Sequence, residues 1–183
     1  MHHPFPPFLN SNRLILRRLQ HDDASVICAY RSLPEVALYQ SWEFFGPDDA
    51  EKLIDDQADR EPGVPGTWFQ LAIIEKSSGR LIGDCGLHCL EQFPTQIEFG
   101  ITLAPDAQGR GYATETIGRL LQFAFEELEA HRVTAITDVL NEPAAALFRR
   151  VGFRQEGHFV DHVLFKGRLS SEFLFAMLRR EWN

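Results

Sequence analysis

Six consecutive residues, Gln108-Gly109-Arg110-Gly111-Tyr112-Ala113, carry the most legible chemistry in the chain. Two glycines one residue apart let the backbone turn tightly and bring successive N–H groups against a ligand, and a helix that begins at once adds the positive end of its dipole. Such a segment can cradle a phosphate or pyrophosphate. The same residues also suit an ordinary strand-to-helix turn that needs glycine for geometry alone. A dinucleotide turn fits less well: Gly109-x-Gly111-x-x-Thr114 lacks the third glycine, and the unit follows an antiparallel hairpin instead of opening a parallel sheet.

Glu98 stands on the polar side of a run from Gln96 to Leu103 in which Ile97, Phe99, Ile101 and Leu103 alternate to the other side. Gly100 beside it leaves room for a substrate. A carboxylate so placed suits a general base, and equally a sheet-surface carboxylate paired with a neighbouring cation. Asn141, shortly before Pro143, suits a ligand contact or an Asx turn that caps a helix. Cys85, His88 and Cys89 are metal-ligand types, but at a strand rise of about 3.3 Å per residue the two sulfurs lie about 13 Å apart, too far for one ion. No metal site is expected. Asp161-His162 has no serine in a Gly-x-Ser-x-Gly elbow to serve, and reads as a turn pair with a pH-sensitive side chain.

These residues need elements to hold them. Arg13 to Leu19 alternates as a strand, Asp22 and Asp23 offer N-caps to a helix through Val26, Ile27 and Tyr30, and a Pro-led acidic helix runs from Pro47 to about Arg60. From Trp68 the period is two, with a turn at Ser77-Ser78-Gly79, a return strand from Leu81 to Leu90, and the strand that holds Glu98. A helix then carries the stripe Ala113, Ile117, Leu120, Leu121, Ala124, Phe125 and Leu128. A strand from Val133 to Val139, a helix from Ala144 to Val151, and strands near Phe159 to Phe165 and Glu172 to Leu178 follow. The order is mixed α/β with one strand–helix–strand unit in its middle.

The chain has 183 residues with 18 Lys+Arg against 26 Asp+Glu, a net charge of −8 that repels phosphate backbones and favours cationic partners. Nucleic acid is not expected as a direct partner. With 44% apolar and 24% charged residues the chain can bury a core. Three cysteines form no paired framework and fit a reducing cytoplasm, and no apolar run approaches the roughly 20 residues that span a bilayer. Residues 1–12 read as a Pro-rich surface leader without the pattern of a signal peptide, and residues 13–183 as a single domain.

Gln108-x-x-Gly111-x-Ala113 resembles the acyl-CoA pyrophosphate motif, Gln/Arg-x-x-Gly-x-Gly/Ala, of the GNAT superfamily of N-acetyltransferases. Ile97-Glu98-Phe99-Gly100, the turn from Gly109 to Glu115, Asn141 followed by Leu147 and Val151-Gly152-Phe153, and the terminal Leu178-Arg-Arg-Glu-Trp182 resemble the branch that contains ribosomal-protein N-terminal acetyltransferases. The resemblance spans roughly residues 10 to 182. It implies a mixed, mostly antiparallel sheet of about seven strands with four helices, whose central parallel pair splays to hold acetyl-CoA between the strands ending at Leu103 and Val139. Backbone amides of Gln108, Gly109, Arg110, Gly111, Tyr112 and Ala113 would hold the pyrophosphate. Main-chain groups of Ile101, Thr102 and Leu103 would pair with the pantetheine arm, Asn141 and Phe148 would border it, and Arg149 and Arg150 could reach the nucleotide phosphates.

The same resemblance implies transfer of an acetyl group to a primary amine, a protein N-terminus or a small cationic amine, with Glu98 as base. Attack would be direct, since no cysteine falls beside the thioester. The acidic residues Asp48, Asp49, Glu51, Asp55, Asp56, Asp59 and Glu61 then read either as a solvated helix face or as a negative wall on the acceptor side, joined by Trp42, Phe44, Phe45 and Trp68. Two positions depart from the pattern: Phe148 replaces a tyrosine that serves as acid for the departing thiolate, and Ala144 replaces a serine. A non-catalytic acyl-CoA-binding module is therefore the alternative. A homodimer is left open.

Overall fold

A computed structural model describes residues 8–182. Its sheet contains strands β1 (Phe8–Asn10), β2 (Leu14–Arg18), β3 (Trp68–Glu75), β4 (Leu81–Cys89), β5 (Gln96–Leu103), β6 (Arg132–Asp138), β7 (Arg154–Phe165) and β8 (Arg168–Leu178), in the spatial order β1-β2-β3-β4-β5-β6-β8-β7. Helices are α1 (Ala24–Arg31), α2 (Pro34–Ala37), α3 (Pro47–Gln57), α4 (Tyr112–Gln122) and α5 (Glu142–Val151). Neighbouring strands run antiparallel except β5 and β6, the parallel pair that α4 joins. No helix among the described residues is long and apolar enough to cross a membrane.

Alternation within the strands builds two apolar layers. Leu71, Cys85, Leu87, Ile97, Phe99, Val133, Ala135 and Phe175 pack with the apolar stripes of α4 and α5 on one face. Ala72, Ile74 and Leu81 pack with Ile27 and Tyr30 of α1 and Ala50 and Ile54 of α3 on the other. Glu98 and Gly100 lie on this second face, because period two turns them away from Ile97 and Phe99.

Several boundaries differ from those expected. Phe8–Asn10, expected within a surface leader, pairs with Ile15–Arg17 and buries Leu9, a run too short for its period to be read; residues 1–7 lie outside the described part. Asp22 and Asp23 close a short 3₁₀ turn before α1, and Asp23 is spent on Arg17 and the Gln20 N–H. After Gln122 the long stripe continues as a π-helical turn, Phe123–Glu127, in which the Leu128 N–H donates to the Phe123 carbonyl at 3.0 Å. Strand β7 starts at Arg154, earlier than expected, because register shifts at Gln155/Gly157 and Phe159/Val163 interrupt its alternation.

Candidate active site

The β5–β6 pairing lasts for three rungs, Gln96–Arg132, Ile97–Val133 and Glu98–Thr134, and then stops. Beyond Glu98, β5 remains paired to β4 through Cys85–Ile101, Asp84–Thr102 and Gly83–Leu103, while β6 remains paired to β8 as far as Asp138–Glu172. The two strands therefore diverge, and the edge of β5 that faces β6 has no ladder partner from Phe99 to Leu103. A cleft occupies the gap, lined by Phe99, Gly100 and Ile101 from β5 and Ile136, Thr137 and Asp138 from β6. Helix α5 closes one side with Asn141, Ala144 and Phe148.

The glycine loop follows directly on the end of β5. Gln108 is extended and its Nε2 donates to the Leu103 carbonyl at 3.1 Å, which ties the loop back to the strand. Gly109 and Gly111 have φ of +70° and +80°, where a side chain is strained, and Gly111 is the N-cap of α4. No side chain caps that helix, so its first-turn N–H groups remain open to an anion. The side chains of Arg110 and Tyr112 are used elsewhere. Tyr112 is buried and donates to Glu75, and the Arg110 guanidinium lies over its ring. A brace from the β1–β2 connection has no local mark in the sequence: Arg13 pairs with Glu115 at 2.7 Å, donates to the Arg110 carbonyl at 3.0 Å and lies over Tyr112.

Glu98 occupies the last rung before the strands part, beside the cleft and not in its lining. Directly across on β4 is His88, whose Nδ1 is 3.9 Å from Glu98 Oε2. His88 stacks on Trp68 with centroids 5.0 Å apart. Trp68 lies flat across the sheet because β4 and β5 have glycine beneath it: a Cβ on Gly86 would come within 2.9 Å of the indole. Burial pushes the Glu98 carboxyl above the ordinary carboxylate range, His88 opposes that shift, and the negative charge of Glu172 adds to it. Glu172 itself lines the cleft and pairs with His162 Nε2 at 2.8 Å.

The remaining candidates divide. The Asn141 side chain accepts from the Ala144 N–H at 3.2 Å, so it caps α5 while also lining the cleft. Phe148 lines the cleft and stacks on Phe175. Ile101 lines the cleft, whereas Thr102 is buried and does not. Arg149 donates to Gln155 at 2.8 Å, and Arg150 stands 3.5 Å from Thr114 on the first turn of α4. Cys85 and Cys89 point into the α4 side of the sheet and His88 to the opposite side. Asp161-His162 lies at the β7 bulge inside a strand, not in a turn as expected. The acidic residues of α3 face solvent, with Asp56 on Lys52 at 2.7 Å and Asp49 on the Gly46 N–H; none lines the cleft. Trp42 and Phe45 pack on the Arg31 guanidinium. Among the described residues, Asp138 at the end of β6 and Glu172 within β8 are the carboxylates that do line the cleft, and nothing local in the sequence marks either position as facing a gap.

Residues 13–154 match the family model described as an acetyltransferase (GNAT) domain. An uncharacterized N-acetyltransferase of Bacillus licheniformis, p20, is 31% identical over 175 residues, which cover 95% of this chain and 97% of that protein. YdaF of Bacillus subtilis (strain 168), provisionally named a ribosomal N-acetyltransferase, is 36% identical over 105 residues, 57% of each chain. The crystal structure of spermidine N-acetyltransferase from Vibrio cholerae in complex with CoA and spermine superposes with a TM-score of 0.81 at 25% identity, covering 94% of this chain and 99% of that one. With a parallel pair that splays at Glu98 and a glycine loop that opens α4 at its end, the chain belongs to the GNAT family and is an acetyl-CoA-dependent N-acetyltransferase.

Proposed function

We propose that this chain acetylates a primary amine by direct attack within a ternary complex, with the cofactor in the β5–β6 cleft and Glu98 as general base. The observation that carries the reading is the divergence of β5 and β6 immediately after Glu98, with the uncapped N-terminus of α4 following at the end of β5. The residues fit acetyl-CoA. Open N–H groups from Gln108 to Ala113 suit a pyrophosphate, and the unpaired edge at Ile101, Thr102 and Leu103 suits the amide groups of a pantetheine arm. Phe148 and the capping Asn141 border that arm. Acetyl-CoA supplies an acyl group activated as a thioester.

The chain's part is to collect, orient and deprotonate the acceptor. An amine with a pKa of about 8 to 10 is mostly protonated at neutrality and must lose a proton before it can attack. Glu98 is positioned to take it, and the raised carboxyl is a stronger base than an exposed glutamate. Direct attack is favoured because Cys85 is buried on the opposite layer, with its thiol pushed up by burial and by Asp84. Free thiols at Cys28, Cys85 and Cys89 agree with a cytoplasmic setting.

For the acceptor we favour a small cationic amine over a protein N-terminus, since the cleft lining contains Asp138 and Glu172 and no lysine or arginine. Neutralising the acceptor side at Glu172→Gln should raise the acceptor's KM several-fold at low salt, and the difference should shrink as salt screens it. An unchanged salt response would remove Glu172 from acceptor capture. Incubation with acetyl-CoA and an amine panel of spermidine, N-terminal peptides, an aminoglycoside and amino acids tests the whole reading through release of free thiol. Binding of acetyl-CoA without thiol release from any amine would favour the acyl-CoA-binding module.

Cofactor affinity should depend on Gly111. Valine there would strain a φ of +80° and put its Cβ 3.3 Å from the Arg13 guanidinium, against the N–H groups that face the ligand. Gly111→Val is expected to weaken acetyl-CoA by tenfold or more, about 1.4 kcal/mol for each factor of ten, in a protein that still folds. Calorimetry giving wild-type affinity would remove the loop from the cofactor site.

A further inference from the structure

Thr137 breaks a pattern. On β6 it shares a face with Val133 and Ala135, both fully buried in the apolar layer beneath α5, and its partner across the ladder is Phe173. Thr137 is itself 6% exposed, yet its Oγ1 has no hydrogen-bond partner among the described residues. Burying an unpaired hydroxyl costs stability that valine, of nearly the same shape, would not. Only two other buried side-chain atoms among the described residues are unpartnered, Thr116 Oγ1 and Arg119 Nη1, and both lie on α4 away from the cleft. Thr137 lines the cleft.

The other hydroxyls in that lining are committed. Tyr39 donates to the Leu140 carbonyl at 3.1 Å, and Ser170 donates to Asp138. Phe148, Ala144 and Thr137 line the same cleft, and Phe148 stacks at 5.8 Å on Phe175, the ladder partner of Ala135. Neither Phe148 nor Ala144 can donate a hydrogen bond from its side chain. We propose that Thr137 is a catalytic residue whose hydroxyl donates the hydrogen bond that stabilises the departing CoA sulfur. This rests on the cofactor lying in the β5–β6 cleft as described above.

The bookkeeping closes without a strong acid. Glu98 takes the ammonium's first proton and passes it to solvent; the neutral nitrogen then bonds to the acyl carbon, the C–S bond breaks with its electron pair on sulfur, and the second proton, lost from nitrogen as the amide forms, passes to Glu98. Thr137 keeps its own proton and shares it with the sulfur. A thiol with a pKa of about 8.5 is a fair leaving group near neutrality, so a donor suffices where a proton transfer is absent.

Thr137→Val preserves shape and removes the donor, while Thr137→Ser keeps it. The valine variant should lose about 10- to 100-fold in kcat with little change in the KM for acetyl-CoA, as expected for a hydrogen bond to developing charge, and the serine variant should recover most of the rate. A second readout needs no turnover. The thiol of CoA bound to the wild-type protein, titrated by thiolate absorbance, should ionise at lower pH than CoA bound to Thr137→Val, whereas desulfo-CoA should bind both equally. Unchanged kcat with an unchanged thiol titration would overturn the proposal, as would an equal loss of CoA and desulfo-CoA, which marks a packing role. Should the valine variant fail to fold, Thr137→Ala is read by the same two measurements. If wild-type protein binds neither CoA nor desulfo-CoA, the cleft reading itself falls and takes this inference with it.

Discussion

Glu98→Gln should lower kcat by about 100- to 1000-fold near pH 6, with the deficit shrinking steadily as pH rises and acetyl-CoA binding intact. Glutamine keeps the size and polarity of the side chain and cannot accept the amine's proton. The variant must therefore wait for amine that has lost its proton in solution, a fraction that grows tenfold per pH unit until the amine's own pKa. The wild-type protein has a different acid limb. Burial raises the Glu98 carboxyl, with Glu172 reinforcing and His88 opposing the shift, so its basic form is lost as pH falls through a value above the ordinary carboxylate range. Below that point wild type and variant converge in mechanism, since neither has a base. A loss independent of pH would show that Glu98 orients the acceptor without taking its proton. Replacing His88 by asparagine separates the two as well: it removes the partner that favours the charged carboxylate, so the acid limb should move to higher pH.

The parts of this site that were legible in the sequence are those fixed by local pattern. Alternation from Gln96 to Leu103 placed Glu98 and Gly100 together opposite Ile97 and Phe99, and the period of α4 gave a buried stripe at Ile117, Leu120 and Leu121. Gly109 and Gly111 were legible because a positive φ leaves a mark on residue type. What stayed hidden depends on distant pairs or on exceptions within a regular element. Arg13 meets Glu115 across about a hundred residues of chain, and nothing near either one announces it. Trp68 reads as one more aromatic at the head of a strand until Gly86 and Gly100 are seen beneath it. Thr137 is an ordinary strand residue by propensity, and its interest lies in what its hydroxyl fails to touch. The acidic run on α3 is a solvated face, one of the two readings its sequence allows, while the cleft's own carboxylates are single residues on two different strands.

The largest expected effect on stability lies between α1 and β4, at Arg31. Its guanidinium donates to the carboxylate of Asp84 at 3.1 and 2.5 Å, with side-chain exposures of 6% and 1%. Gln70 and Tyr30 donate to the same carboxylate, and Trp42 and Phe45 cover the guanidinium from the other side. Burial works against the charge on Arg31, and Asp84 together with Tyr30 more than offsets it, so the guanidinium holds its proton more firmly than an ordinary arginine. Arg31→Ala leaves the Asp84 charge buried with neutral donors alone, a situation that costs about 3–5 kcal/mol. For a chain of this length that is roughly a 10 °C fall in Tm. The double variant Arg31→Met with Asp84→Leu removes both charges and should recover most of the loss, because well-packed apolar residues often replace a buried ion pair at little cost. The cycle also separates stability from function. Gln70 approaches Asp84 at 2.6 Å, and its backbone N–H donates to Gln57 while the Gln57 amide donates to the Trp68 carbonyl, so the carboxylate belongs to the scaffold that holds Trp68 beside His88 and Glu98. A double variant that regains its Tm yet keeps a raised acceptor KM would locate that orienting role in Asp84; one that regains both would leave the ion pair a purely structural element of the α1–β4 contact.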